Sequence, residues 1–166
     1  MCIRDSKNTL KQNPNPSFLI YDASAGSGKT YALVRHYLQT ALNTNNPEKY
    51  QSILAITFTN KAAQEMKTRV LTQLREFSSA QILLEPSELF LEIVALCGTT
   101  KQTIQQRAKK TLYHLLQHYG HFSITTIDSL THQIVRTFSR DLGLSSTFEL
   151  MLETDQFIEQ AVDFLI

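Results

Sequence analysis

Gly26-Ser27-Gly28-Lys29-Thr30 is the stretch of this chain whose residue types and spacing most clearly suit chemistry. Two glycines two residues apart let a backbone bend closely around an anion, and successive N–H groups in such a bend form a phosphate cradle. A lysine directly after the second glycine can reach the outer phosphates of a nucleotide, and the following threonine hydroxyl can ligate Mg²⁺. Ala23 stands where the usual loop of this kind has its first glycine, so Ala23, Ser24 and Ala25 lead into an otherwise intact core. The competing reading is an ordinary corner between a strand and a helix.

A second polar cluster follows the apolar run at 52–58 and consists of Thr57, Phe58, Thr59, Asn60 and Lys61. Hydroxyls and free N–H groups at a helix start hold phosphate oxygens. Phe58 among them reads either as a core residue or as a platform on which a base stacks. A third cluster, Ser123-Ile124-Thr125-Thr126-Ile127-Asp128-Ser129, again ends an apolar and hydroxyl-rich run with capping residues. Apolar residues followed by Asp128 also fit a Mg²⁺-site carboxylate, which would make the chain a small complete nucleotide-kinase-like enzyme.

These clusters need elements to hold them. Residues 17–21 are apolar throughout, as suits a strand covered on both faces of a parallel sheet. From Thr30 to Leu42 a helix is expected, with Ala32, Leu33, His36, Tyr37 and Ala41 spaced three and four apart. A second strand is expected over 52–58, then a helix capped by Thr59 or Asn60 with Ala63, Met66, Val70 and Leu74 on one stripe. Strand, helix, strand, helix at this spacing is the pattern of an α/β fold with a parallel sheet. Residues 88–97 and 103–119 read as helices with no strand between them, a helical insertion over 78–121. Strand character returns over 122–127, and Asp128 or Ser129 is expected to cap a helix with Leu130, Ile134, Val135 and Phe138 inward. An extended piece at 147–150 and a helix from about Thr154 complete the pattern.

The domain division that follows is a polar lead-in over 1–16, expected to be disordered, with 1–6 looking foreign to the rest. After it come 17–77 and 122–145 as parts of one α/β lobe, 78–121 as the insertion, and 146–166 as the start of a helical subdomain. The apolar helical pattern over 162–166 carries no stop signal, which reads as a piece of a longer protein.

Composition narrows the classes. A net charge of +1 gives no global attraction to nucleic acid, so any basic surface is local. No apolar run reaches the ~20 residues of a membrane helix, and no secretory leader pattern is present, so a cytoplasmic location without membrane contact is expected. Cys2 and Cys97 share no motif with each other. His114, His118 and His121 have ligand-like spacing but lack a carboxylate or thiol beside them. Arg107, Lys110, His114 and His118 share a helical stripe, read as a solvated face or as a contact to a nucleic-acid backbone.

The 53–70 segment resembles motif Ia of the UvrD/Rep class of superfamily 1 DNA helicases, and the Ala23–Thr30 loop resembles motif I of that class. The form Ala-Ser-Ala-Gly-Ser-Gly-Lys-Thr is most similar to the RecB/AddA branch, and 123–130 resembles its motif Ib. The resemblance implies a RecA-like P-loop sheet, ATP and Mg²⁺ as cofactors, and stepwise movement along single-stranded DNA in DNA repair and recombination. It also implies membership of a helicase–nuclease complex with a second protein as partner. Carried onto this sequence, it makes Lys29 and Thr30 catalytic, with Thr30 on Mg²⁺. Ala23, Ser24, Ala25, Gly26, Ser27, Gly28 and Tyr31 join them around the nucleotide. DNA contact would fall to Thr57, Phe58, Thr59, Asn60, Lys61, Thr126 and Ser129. Tyr31 stands where the class has an arginine, Asp128 where it often has a histidine, and an aromatic at 31 can stack on adenine. The Asp-Glu motif and second-lobe arginines that complete ATP hydrolysis in the class do not occur in these 166 residues, so the piece alone is expected to be inactive. A P-loop module that uses ATP only as a switch, without translocating, remains the reading from another class.

Overall fold

A computed structural model describes residues 28–139. The strand expected over 17–21, loop residues Ala23 to Ser27, the extended piece at 147–150 and the helix from Thr154 lie outside the described residues.

Five α-helices and a two-stranded parallel sheet make up the described part, which is mostly helical. Helix α1 (Lys29–Leu42) starts directly after Gly28, whose φ of 86° is a left-handed conformation that a side chain would strain. The helix buries Val34, Tyr37, Leu38, Ala41 and Leu42, while Leu33 is 51% exposed. The inward face is therefore rotated from the expected one. Apolar doublets at 33–34, 37–38 and 41–42 allow two stripes, and the neighbouring helices select the second.

A 3-10 turn (Lys49–Ser52) carries the fully buried Tyr50 into strand β1 (Ala55–Thr57). The strand expected over 52–58 is thus shorter. Ser52 closes the turn by donating its hydroxyl to Lys49 O at 2.8 Å. Helix α2 (Asn60–Ser78) begins under the Thr59 cap, whose Oγ1 accepts from Ala62 N at 3.1 Å. Its expected stripe is the real one: Ala63, Met66, Val70 and Leu74 are buried, with Phe77 added.

Helix α3 (Glu88–Leu96) and helix α4 (Lys101–Gln117) follow, joined through Gly98 at φ 57°. They share one hydrophobic cluster with α1 and α2. Phe77 and Phe90 meet edge-on at 5.1 Å between ring centroids. Leu74, Ile93, Ile104 and Leu115 are completely buried beside them. Each such side chain contributes on the order of 1.5–3 kcal/mol relative to exposure. Tyr119, the last residue of the helix expected over 103–119, lies beyond the end of α4 in a further 3-10 turn (Tyr119–His121) and is 44% exposed.

Two of the four residues in the basic stripe of α4 are engaged by other elements. Arg107 reaches the end of α1, donating from Nη1 to Leu42 O at 3.0 Å and from Nε to Asn45 Oδ1 at 2.8 Å. The last turn of α1 carries no basic residue of its own, so α4 supplies the cation its terminal carbonyls favour. His114 Nδ1 lies 3.1 Å from Tyr50 Oη, and its Nε2 lies 3.4 Å from Glu48. Both residues tie α4 to the connection between α1 and β1, which corrects the reading of the stripe for Arg107 and His114, while Lys110 and His118 are exposed as a solvated face requires.

Strand β2 (Ile124–Thr126) pairs parallel with β1 in the register Ala55↔Ile124, Ile56↔Thr125, Thr57↔Thr126. Ile124 and Thr126 are buried, whereas Ile56 is 49% exposed. Helix α5 (Ile127–Thr137) starts one residue after β2. The strand expected over 122–127 therefore loses Ile127 to α5, and the expected caps Asp128 and Ser129 yield to Thr126. Its Oγ1 accepts from Ser129 N at 3.2 Å and donates to Ser129 Oγ at 2.8 Å. Of the four residues expected inward on α5, Leu130 and Val135 are half-buried, while Ile134 and Phe138 are about half exposed.

Candidate nucleotide and nucleic-acid site at the carboxyl edge of the sheet

Three helix N-termini carry the residues singled out above. At α1, Gly28, Lys29 and Thr30 form the end of the glycine loop and the first helical residues. Gly28 and Lys29 are exposed, no side chain caps the helix, and no acid sits in its first turn. The free N–H groups and dipole of such a start favour an anion. The residues present therefore suit a phosphate group, with the Lys29 ammonium and the Thr30 hydroxyl beside it. Ala23, Ser24, Ala25, Gly26 and Ser27 fall outside the described residues.

Tyr31 follows on α1 and is 44% exposed. Its hydroxyl pKa is raised, first by partial burial and then by the charge of Glu92 and a hydrogen bond to it. The ring is neutral over the physiological range.

The other two N-termini are held side by side. The pairing Thr57↔Thr126 puts the last residues of both strands opposite one another, and each chain turns straight into a helix. Neighbouring strands lie about 4.8 Å apart, so the starts of α2 and α5 are set together by the sheet. Thr57 Oγ1 lies 3.0 Å from Thr59 O and 3.4 Å from Thr125 O, a shared donation that ties the turn after β1 to β2. Thr59 and Thr126 spend their lone pairs on backbone N–H groups. What this edge offers outward is therefore the N–H groups of the first helical residues, the Asn60 amide, the Lys61 ammonium and Phe58. Asn60, Lys61 and Ser129 are exposed, and the Phe58 ring is 90% exposed. Asp128 is exposed in the first turn of α5, a position the helix dipole favours.

Other chemistry-bearing groups are occupied elsewhere. His114 and His118 stack at 4.3 Å between ring centroids. Among the described residues no group of three or more His, Cys, Asp or Glu is arranged to hold a metal ion. Cys97 is half-buried, with Sγ 3.9 Å from Gln39 O, and burial raises its thiol pKa. Among the described residues no helix is long and apolar enough to cross a membrane. Sequence reasoning missed the polar side chains of α2 that line a cleft beside Tyr31, because nothing in the spacing of Thr72 and Gln73 sets them apart from an ordinary solvated face.

The described residues form a mostly helical α/β unit in which a small parallel strand pair turns directly into two helix N-termini. The chain belongs to the UvrD/REP helicase N-terminal domain family, whose pattern matches residues 4–164. It is 32% identical over 151 residues to an ATP-dependent helicase/nuclease protein of Exiguobacterium sibiricum, a match covering 87% of this chain and 11% of that protein. It is 30% identical over 152 residues to the protein of the same name from Oceanobacillus iheyensis, covering 90% of this chain and 10% of the relative. For the one from Bacillus cytotoxicus the identity is 27% over 150 residues, covering 89% and 10%. All three are named as one subunit of their helicase/nuclease. The chain thus spans about a tenth of the length of the curated relatives it matches. No solved structure matches it. Family membership leaves no ground for the nucleotide-kinase reading of Asp128.

Proposed function

We propose that this chain is the ATP-binding amino-terminal part of a RecA-like lobe in an ATP-driven DNA helicase that moves along single-stranded DNA. The observation that carries the reading is the in-register pairing Thr57↔Thr126, which sets two helix N-termini and the exposed Phe58 ring along one sheet edge. In an open parallel sheet the carboxyl edge of the strands is where ligands bind. Helix N-termini suit phosphates, and an exposed aromatic suits a base. Residues 17–77 and 122–145 would form the lobe, with 78–121 inserted between them and 146–166 beginning the next subdomain.

ATP would sit with its phosphates on the loop from Ala23 to Thr30. Lys29 would neutralise the outer phosphates, and Thr30 would hold Mg²⁺, which supplies charge stabilisation when bound. Thr57, Phe58, Thr59, Asn60 and Lys61, with Thr126 and Ser129, would hold the strand. The relatives are named as one subunit of an ATP-dependent helicase/nuclease, which supports a DNA substrate and a second protein as partner. The reading places the protein in the cytoplasm.

The test is Lys29→Ala in the full-length protein. ATP hydrolysis should fall at least about 100-fold, the scale of losing one charge-stabilising donor at the transferred group. An unchanged rate would remove the loop from the mechanism. Wild-type hydrolysis that single-stranded DNA does not stimulate would favour the switch-module reading instead.

A further inference from the structure

Helices α2 and α4 run antiparallel. Near one end of the pair Gln105 Nε2 donates to Ser78 O at 3.3 Å, and near the other the Lys67 ammonium lies 6.0 Å from the centre of the Tyr119 ring. Between these contacts Leu71 of α2 and Leu112 of α4 are half-buried against the core and floor the groove between the helices. Beside that floor stand Tyr113, Leu116 and Tyr119, which are 67%, 60% and 44% exposed. We propose that this groove is where the protein meets its partner protein, which lays an acidic amphipathic helix into it. The proposal rests on the reading of a second protein as partner and deepens it.

Exposed apolar side chains set singly are ordinary, but these are neighbours. Residues three and four apart on a helix share a face, so Lys109, Tyr113 and Leu116 stand in one row of α4. Lys67, Leu71 and Arg75 form the facing row of α2. An apolar patch rimmed by polar groups marks a surface for protein contact. A groove of this kind suits a helix whose apolar residues recur every three or four positions.

The rim has one sign. Lys67, Arg75 and Lys109 make no ion pair among the described residues, and no acid occurs between Lys101 and Ile127. The two acids of α2 are turned elsewhere: Glu65 pairs with Arg69, and Glu76 lines the cleft beside Tyr31. Unneutralised cations around leucine and tyrosine select an occupant with acids at its edges and apolar residues along its middle. A nucleic-acid backbone would match the cations alone. It would leave Leu71, Leu112 and Leu116 without a use, since leucine neither stacks on a base nor holds a phosphate.

The test uses the full-length protein together with the second protein. A photoreactive p-benzoylphenylalanine placed at position 113 should cross-link to a segment of the second protein that carries Asp or Glu on both flanks of an apolar helical stripe. Leu116→Glu alters a side chain already in water and keeps helix propensity. It should weaken association of the two proteins at least about 30-fold, the scale of a central interface residue. Lys109→Glu should slow association about tenfold and flatten its dependence on salt. In both variants, DNA-stimulated hydrolysis of ATP without the second protein should stay within about twofold of wild type. A cross-link that falls on DNA or on another part of the same polypeptide overturns the surface and leaves the partner reading standing. Association within twofold of wild type in both variants does the same. A wild-type protein that binds no second protein overturns both.

Discussion

Thr126→Val isolates the coupling between β2 and α5. The substitution keeps shape and β-branching, so the strand and its burial are preserved; Thr126 is 4% exposed. What disappears is the hydroxyl that accepts from Ser129 N at 3.2 Å and donates to Ser129 Oγ at 2.8 Å. Loss of a threonine N-cap costs about 0.5–2 kcal/mol. Two features place this one in the middle of that range. Ser129 is exposed, so water takes over its freed N–H and hydroxyl, and the buried methyl no longer needs a polar partner. A cost of about 1 kcal/mol corresponds to a roughly fivefold rise in the opening equilibrium of the first turn of α5. Hydrogen exchange by mass spectrometry should show that rise in amides 127–130 and no change in α2, whose Thr59 cap is separate. The same variant should weaken binding of single-stranded DNA if the start of α5 holds a phosphate. Exchange in 127–130 that stays within twofold of wild type, or a rise spread evenly over α2 and α4, would refute the assignment of Thr126 as the cap.

Two other substitutions probe separate parts of the molecule. Phe58→Ala should change stability by less than about 0.5 kcal/mol, because the ring is 90% exposed. Measured by fluorescence anisotropy on the full-length protein, it should weaken single-stranded DNA binding by about 1–3 kcal/mol, the scale of one stacked base. Arg107→Met should lower the stability of the chain by about 1.5–3 kcal/mol in urea unfolding, since a charge-assisted hydrogen bond to Leu42 O is lost with its link to Asn45. DNA affinity unchanged by Arg107→Met would agree with its place against α1, whereas a loss of affinity without a loss of stability would return it to the nucleic-acid surface.

Much of this was legible from residue types. The α2 stripe was readable because Ala63, Met66, Val70 and Leu74 recur at helical spacing with polar residues between them. On α1 the adjacent apolar pairs supported two faces about 100° apart, and only packing against α2, α3 and α4 selects Val34 and Leu38 over Leu33. Strand ends were uncertain for a related reason. Residues 125–129 contain four side chains able to cap, and the choice of Thr126 depends on where pairing with β1 stops. Arg107 and His114 looked like surface cations because their partners, the end of α1 and Tyr50, are 65 and 64 residues away in sequence. The cleft beside Tyr31 had no sequence signal at all, since it is a gap between three helices rather than a motif.

The ladder of three residue pairs between β1 and β2 has a consequence for how such chains can vary. It fixes the separation of the two helix starts through backbone bonds alone, independently of everything threaded between them. Residues 79–87 or 97–100 could lengthen or shorten and leave the spacing of Thr57 and Thr126 untouched. A single residue inserted within 55–57 or 124–126 would throw one start out of step with the other and flip the side chains that follow it in that strand to the opposite face. The domain behaves like a caliper. Its jaws are set by a joint three residues long, and its handle can be of almost any length.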